Sequence, residues 1–235
     1  MTRDEQIALL NLGEITVEGR IKASSNQALL VSLNLDDHRG LACYKAEAGE
    51  RLLWDFEEGL WRREVAAYQL ANLLGLEIVP VTVERTDAPF GLGSLQLWIE
   101  EATEDHYFTL RERPEFEQWF IDLCIFDILA NNADRKGGHI LFDGTRCWAI
   151  DNGLCFHQED KLRTVIWDFI GTPLSDLWRE RLVALINGGA TALLEWLSPD
   201  EVAAIADRAT LLLESGELPE PDEEADWPPY PWPLV

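Results

Sequence analysis

Residues 115–130, EFEQWFIDLCIFDILA, carry the strongest constraint on the fold. The segment is long enough for a helix of about four turns and too short for the roughly 20 residues that span a bilayer. Its apolar face must therefore be covered by the rest of the chain, so the spacing predicts a rigid core helix over 115–130. A block rich in polar and small residues follows at once, Asn131-Asn-Ala-Asp134-Arg-Lys136-Gly-Gly-His139. A rigid core helix aims such a block in a fixed direction.

The elements on either side divide into two kinds. Before the core helix the chain reads as a short helix at 3–12 and strands at 14–22, 27–34 and 40–46. A helix at 58–74 stopped by Gly75 and strands at 78–84 and 94–101 follow, with a Pro/Gly loop at 87–93. After it come short strands at 139–142 and 146–150, joined by Asp143-Gly144. Helices follow near 176–187 and from the Ser198-Pro-Asp-Glu201 start signal. The expected architecture is α+β with two lobes: a β-rich N-terminal lobe over about 13–98 and a mainly helical C-terminal lobe over about 99–213. Residues 214–235 form a tail that changes character, with seven acids and no base over 214–226 and six prolines over 219–233. Its Trp227-Pro-Pro-Tyr-Pro-Trp232-Pro run reads as polyproline II, either free or strapped into a groove and available to a protein partner.

Charge narrows the partners. Acidic residues number 43 against 19 basic ones, a formal net charge of −24. That balance argues against a nucleic-acid backbone or an anionic membrane surface as a partner held by net charge. The start, MTRDEQIALL, has no basic and apolar leader pattern, which leads to a cytoplasmic expectation with no integral membrane segment. The four cysteines, Cys43, Cys124, Cys147 and Cys155, form no C-x-x-C pair, and three sit in apolar surroundings, which predicts reduced, buried thiols.

Among four lysines, Lys45 stands out because it lies inside an apolar strand, Leu41-Ala-Cys-Tyr-Lys45. A buried ammonium requires an anionic partner, and Glu64 on the next helix is the candidate; an edge lysine in water is the alternative. Asn131-Asn-Ala-Asp134 also reads as a helix terminator, and Asp151-Asn-Gly as a type I′ turn. The order of these features is more informative than each alone. Nucleotide phosphoryl transfer calls for a phosphate loop, a strand lysine held by a helix glutamate, an aspartate for the acceptor, a metal ligand soon after it, and a second acid before a glycine. Ser24-Ser25-Asn26, Lys45, Glu64, Asp134, His139 and Asp151-Asn-Gly occur in that order.

The motifs resemble those of the phosphatidylinositol 3-/4-kinase superfamily, nearest in pattern to the type II phosphatidylinositol 4-kinases. Ala149-Ile-Asp151-Asn-Gly-Leu154 is similar to their metal motif and Gly93-Ser-Leu-Gln96-Leu-Trp98-Ile-Glu100 to their hinge strand. Residues 13–213 also resemble an uncharacterised bacterial family of predicted kinases, through 131–139, Cys155-Phe-His157 and Lys161-Leu-Arg163-Thr-Val165. The resemblance implies a protein-kinase-like fold that uses ATP and Mg²⁺ or Mn²⁺. Lys45 would bind phosphates, with Glu64 holding it, and Ser24, Ser25 and Asn26 would form the phosphate loop. Gln96, Leu97, Trp98 and Ile99 would line the adenine site, Asp134 would be the catalytic aspartate, and His139 and Asp151 would hold the metal. Arg135, Lys136, Lys161 and Arg163 are the acceptor-binding candidates, for a hydroxyl on a protein, a small molecule or a lipid. His139 replaces the Asn usual in kinases, which keeps a nucleotide-binding pseudokinase as an alternative; an enzyme of the same fold that transfers AMP is another. A metal-dependent hydrolase built on Asp134, His139, Asp151 and His157 is a further one.

Overall fold

A computed structural model of the 235-residue chain describes residues 1–21, 27–222 and 228–235. The Ser24-Ser25-Asn26 loop lies outside the described residues.

The N-terminal part is a five-stranded antiparallel sheet in the order β1-β2-β3-β5-β4, with β1 at Glu14–Arg20, β2 at Ala28–Leu35, β3 at His38–Ala46, β4 at Thr82–Ala88 and β5 at Gly91–Leu97. Its register pairs Val31 with Ala42, Tyr44 with Leu95, and Lys45 with Ser94. Along β3 the side chains alternate: Ala42, Tyr44 and Ala46 are buried, and Cys43 and Lys45 less so. Lys45 therefore projects from the face opposite Tyr44. Helix α1 (Arg3–Leu12) starts with a Thr2/Glu5 capping box and buries Leu9 and Leu10, with Leu9 lying over Gly40 of β3. Helix α2 (Leu60–Leu73) packs on β4 and β5.

The hairpin β4–β5 departs from the sequence expectation. The strand begins at Thr82 rather than residue 78, and the expected loop at 87–93 is mostly strand, closed by Pro89-Phe90 between paired Ala88 and Gly91. Pro80 has no N–H to offer a ladder, and the Ile78 carbonyl instead accepts from Ala149 of the C-terminal part at 2.7 Å. The buried apolar run 78–81 thus bonds to the C-terminal part at Ile78 and to β5 only at its end, where the Val81 carbonyl accepts the Leu97 N–H at 2.8 Å.

The C-terminal part is built around α4 (Glu117–Ala130), preceded by the short α3 (Tyr107–Leu110). Phe120, Leu123, Phe126 and Leu129 are completely buried. Strands β6 (Ile140–Phe142) and β7 (Cys147–Ala149) form the expected hairpin, in which Asp143 Oδ1 accepts from the N–H groups of Thr145 and Arg146. Helices α5 (Asp176–Ile186) and α6 (Pro199–Ser215) pack together and α6 reaches α4. The start of α6 is the Ser198/Glu201 capping box that the sequence announced. Glu201 also pairs with Arg63 of α2, which ties the two parts together. The last residues, 228–235, lie against the C-terminal part through Pro229 and Leu234. No helix among the described residues is long and apolar enough to cross a membrane.

Candidate active site

The site forms where the two parts meet. The Lys45 ammonium donates to Glu64 Oε1 of α2 and to Asp151 Oδ1, the latter at 2.7 Å. Glu64 Oε2 accepts the backbone N–H of Asn152 at 3.1 Å, so one carboxylate holds the lysine and the Asp151 loop together. Burial opposes the charge on Lys45, but Asp151 and Glu64 outweigh it and hold its pKa well above the usual lysine range. Lys45, helped by Lys136 and opposed by burial, holds the Asp151 carboxyl well below the usual carboxylate range. Two of the three ammonium protons are engaged, which leaves one donor for an incoming anion.

Helix α2 is placed by a borrowed cap. Its N-cap, Gly59, has a left-handed backbone (φ 94°) and no side chain to offer the first turn. Glu50 supplies the acceptor instead, taking the N–H groups of Gly59 at 2.8 Å and Trp61 at 2.7 Å. Carboxylate charge at a helix N-terminus is favourable. Glu50 thereby fixes the start of the helix that presents Glu64 one turn on.

The block after α4 is both a helix terminator and a structured loop. Asn131 ends the helix in a left-handed conformation (φ 50°), and its amide donates to the carbonyls of His157 and Glu159. Asn132 donates to Asp127 and accepts the Asp134 N–H at 3.0 Å. Asp134 faces the cleft and receives Lys136 Nζ at 2.7 Å. Burial pushes the Asp134 pKa up, against the pull of Lys136. Nearby, His139 Nε2 lies 3.4 Å from Asp151 Oδ2. Burial drives the His139 pKa down to about 4, so the imidazole is neutral near pH 7, and its Nδ1 accepts the Lys136 backbone N–H at 3.5 Å.

Asp151-Asn-Gly is not a type I′ turn. Only Asp151 of the three has a positive φ, at 57°, and Asn152 is buried with its amide oxygen on Arg135 at 2.6 Å. Aspartate tolerates the left-handed region at modest strain, and the loop hydrogen bonds impose it.

The cleft has a volume of about 110 Å³ and is lined by Lys45, Glu50, Trp61, Glu64, Asp134 and Asp151 among others. None of residues 96–99 lines it. Gln96 is buried and donates to Thr82 Oγ1, and the N–H groups of Leu97 and Trp98 go to the carbonyls of Val81 and Leu41. Arg135 is not an acceptor contact. It is completely buried, on Asp127 at 2.9 Å, on the Ile150 carbonyl and on Asn152, because a guanidinium inside a core needs every donor satisfied. Lys161 is also buried, on Asp55 at 3.4 Å and beside the Trp54 ring, away from the cleft lining. Arg163 lies close enough to Asp134 to lower its pKa, and its backbone carbonyl accepts from Arg135. His157 accepts the Glu159 N–H and meets the Phe56 ring edge-on, and no group of three or more His, Cys, Asp or Glu among the described residues is placed to hold a metal.

The sequence reading missed Asp127 and Glu50, and took Asn152 only as part of the Asp151-Asn-Gly block. Asp127 had a signal: a lone acid in the apolar run Leu123–Ala130, eight residues before Arg135. Glu50 had none, because its role depends on a loop returning to the start of α2.

Two solved structures share the fold of the chain. The chain superposes on hydra Fam20, solved with sugar, with a TM-score of 0.58 at 15% identity, covering 91% of this chain and 89% of that one. It superposes on the Helicobacter pylori proinflammatory kinase CtkA with a TM-score of 0.51 at 14% identity, covering 89% and 94%. The fold is thus two-lobed and protein-kinase-like, with a β-rich N-terminal lobe and a mainly helical C-terminal lobe. No family model matches the sequence. Protein Rv2133c of Mycobacterium tuberculosis is 38% identical over 272 aligned positions, covering 98% of this chain and 96% of that protein. At that identity and coverage the chain belongs to the family of Protein Rv2133c.

Proposed function

We propose that the protein is an ATP-dependent phosphotransferase that moves the γ-phosphate to a hydroxyl. The observation that carries this reading is the Lys45–Glu64–Asp151 cluster facing Asp134 across one cleft. An ammonium with one unspent donor, fixed by two carboxylates, is suited to a phosphate oxygen. Asp134, its basicity raised by burial, orients the acceptor hydroxyl and takes its proton as the oxygen–phosphorus bond forms and the bond to ADP breaks.

The donor set suits a divalent cation. A neutral imidazole and an ionised carboxylate face each other at 3.4 Å, and two protein ligands are a common complement where phosphates and water fill the other positions. Imidazole nitrogen favours Mn²⁺ over Mg²⁺ in such a site. The ion, when bound, would neutralise phosphate charge; His139 and Asp151 would hold it. The phosphate-loop role of Ser24, Ser25 and Asn26, an adenine-side role for residues 96–99, and acceptor contacts by Lys136 and Arg163 belong to the same proposal. So does the division into a 1–213 kinase-like domain and a 214–235 tail.

ATP labelled on the γ- or the α-phosphate tests the reading in the purified protein and in Asp134→Asn. Transfer or release of the γ-label that Asp134→Asn reduces at least about 100-fold supports it. Transfer of the α-label would replace it with AMP transfer, and turnover unchanged in Asp134→Asn would overturn it.

A further inference from the structure

The C-terminal segment 228–235 does more than end the chain. Four of its eight residues are proline, and among the described residues it forms neither helix nor strand. Its contacts fall on two segments that flank the Asp134 loop. The Pro229 carbonyl accepts the backbone N–H of Thr164 at 3.0 Å and the indole N–H of Trp167 at 3.3 Å. The Leu234 carbonyl accepts the Gly137 N–H at 2.7 Å. Pro231, between them, is buried, whereas Trp232 is 87% exposed.

The receiving surface is shaped for a main chain. Gly137 and Gly138 lie between Lys136 and His139. A Cβ on Gly137 would stand 3.1 Å from the Phe108 ring and 3.2 Å from the Leu234 oxygen, and one on Gly138 would stand 3.7 Å from Val235. Gly137 therefore admits close backbone approach, while a Cβ at Gly138 would be in ordinary contact. Thr164 belongs to the segment whose neighbours pair with Arg135: Arg135 donates to the Arg163 carbonyl and Val165 donates to that of Arg135. The groove thus runs along the loop that carries Asp134 and Lys136. None of the residues that hold the segment lines the Lys45 cleft.

The Trp167 indole N–H and the Thr164 N–H, both aimed at the Pro229 carbonyl, with the Phe108 ring beside Gly137, are elements of polyproline recognition. There the carbonyl of a residue with no N–H of its own is the natural acceptor, and the stiff chain loses little entropy on docking.

We propose that this groove binds proline-rich polypeptide, that residues 228–235 are its resident occupant, and that a proline-rich segment of a protein acceptor displaces them to reach Asp134. Only the word acceptor rests on the phosphotransferase reading; the groove and its ligand class do not. A tethered occupant competes at an effective concentration in the millimolar range, so it masks the groove against a free peptide.

The test uses the full chain and a fluorescent octapeptide with the sequence of residues 228–235. Pro231→Asp, which places a charge at the buried contact, is expected to release the resident segment. Fluorescence anisotropy should then show the octapeptide binding the variant at least about tenfold more tightly than the unmodified chain. Adding Trp167→Phe, which removes the indole donor, should weaken that binding again. Equal binding to the unmodified chain and to Pro231→Asp, or binding to neither, overturns the proposal. Should Pro231→Asp fail to fold, hydrogen exchange in the unmodified chain decides: the Gly137 and Thr164 amides should be protected at least about tenfold, and unprotected amides overturn it. Octapeptide binding without any ATP turnover would keep the groove and remove the phosphotransferase reading. Turnover with no octapeptide binding would do the reverse.

Discussion

Replacing Arg135 by Met should unfold the protein more readily than any change at the rim of the cleft. Arg135 and Asp127 have side-chain exposures of 0% and 1%. The guanidinium donates to both Asp127 oxygens, to the Ile150 carbonyl at 2.8 Å and to Asn152 Oδ1 at 2.6 Å. Removal leaves Asp127 buried with the Asn132 amide as its remaining side-chain partner, and leaves two further acceptors without this donor. Breaking a buried pair from one side destabilises by about 3–5 kcal/mol. In a chain of this size each kcal/mol moves Tm by about 2–4 °C, so the expected loss is roughly 6–20 °C. Burial already holds the Asp127 pKa above the usual carboxylate range, and losing Arg135 raises it further. A carboxyl whose folded pKa is raised binds more protons folded than unfolded, so the difference between variant and parent should shrink as pH falls toward that pKa. The double variant Asp127→Leu/Arg135→Met removes both charges and should regain at least about 1 kcal/mol over the single one. Thermal unfolding from pH 5 to 8 reads all three. A single variant within about 1 kcal/mol of the parent, or a double variant no more stable than the single, would refute the reasoning.

Other expectations follow from the same geometry. Asp151→Asn should abolish turnover in the γ-label assay while Tm stays measurable, since Asp151 retains 42% side-chain exposure; full activity would remove its assigned role. Glu50→Ala strips both acceptors from the first turn of α2 and should lower stability by about 1–2 kcal/mol in denaturant unfolding, with Glu50→Gln recovering part of it. Burial pushes the pKa of Cys43 to about 11 and those of Cys124 and Cys147 to about 12. At pH 8 an aromatic disulfide reagent should therefore titrate these thiols at least about 100-fold more slowly in the native chain than after unfolding, because the thiolate is the reacting form.

The chain's sequence carried the site better than its scaffold. Lys45 was legible because an ammonium in an apolar strand requires a counter-charge, and the order of Glu64, Asp134 and Asp151 supplied candidates. The structure brings Lys45, Glu64 and Asp151 into direct contact and places Asp134 on the same cleft. Arg135 was misread because a cation beside Asp134 looks exposed; its partner is hidden in the apolar helix that carries Asp127. The β4–β5 hairpin was displaced because Ile78-Val-Pro-Val81 has strand composition, whereas Ile78 bonds to Ala149 of the C-terminal part and only the Val81 carbonyl reaches β5. The tail's docking was left open because a proline-rich run has the same local conformation bound or free.

Binding of ATP through Lys45 is the most direct test of the central claim. Thermal unfolding of the unmodified chain and of Lys45→Ala would be followed with ATP alone, with Mg²⁺ and with Mn²⁺. At 100 times the dissociation constant, ligand binding adds about 2.7 kcal/mol, or roughly 5–10 °C in Tm at this chain length. The account predicts a metal-dependent rise of that size, largest with Mn²⁺ and lost in Lys45→Ala. A Tm unmoved by ATP with either metal, or a rise preserved in Lys45→Ala, would contradict it.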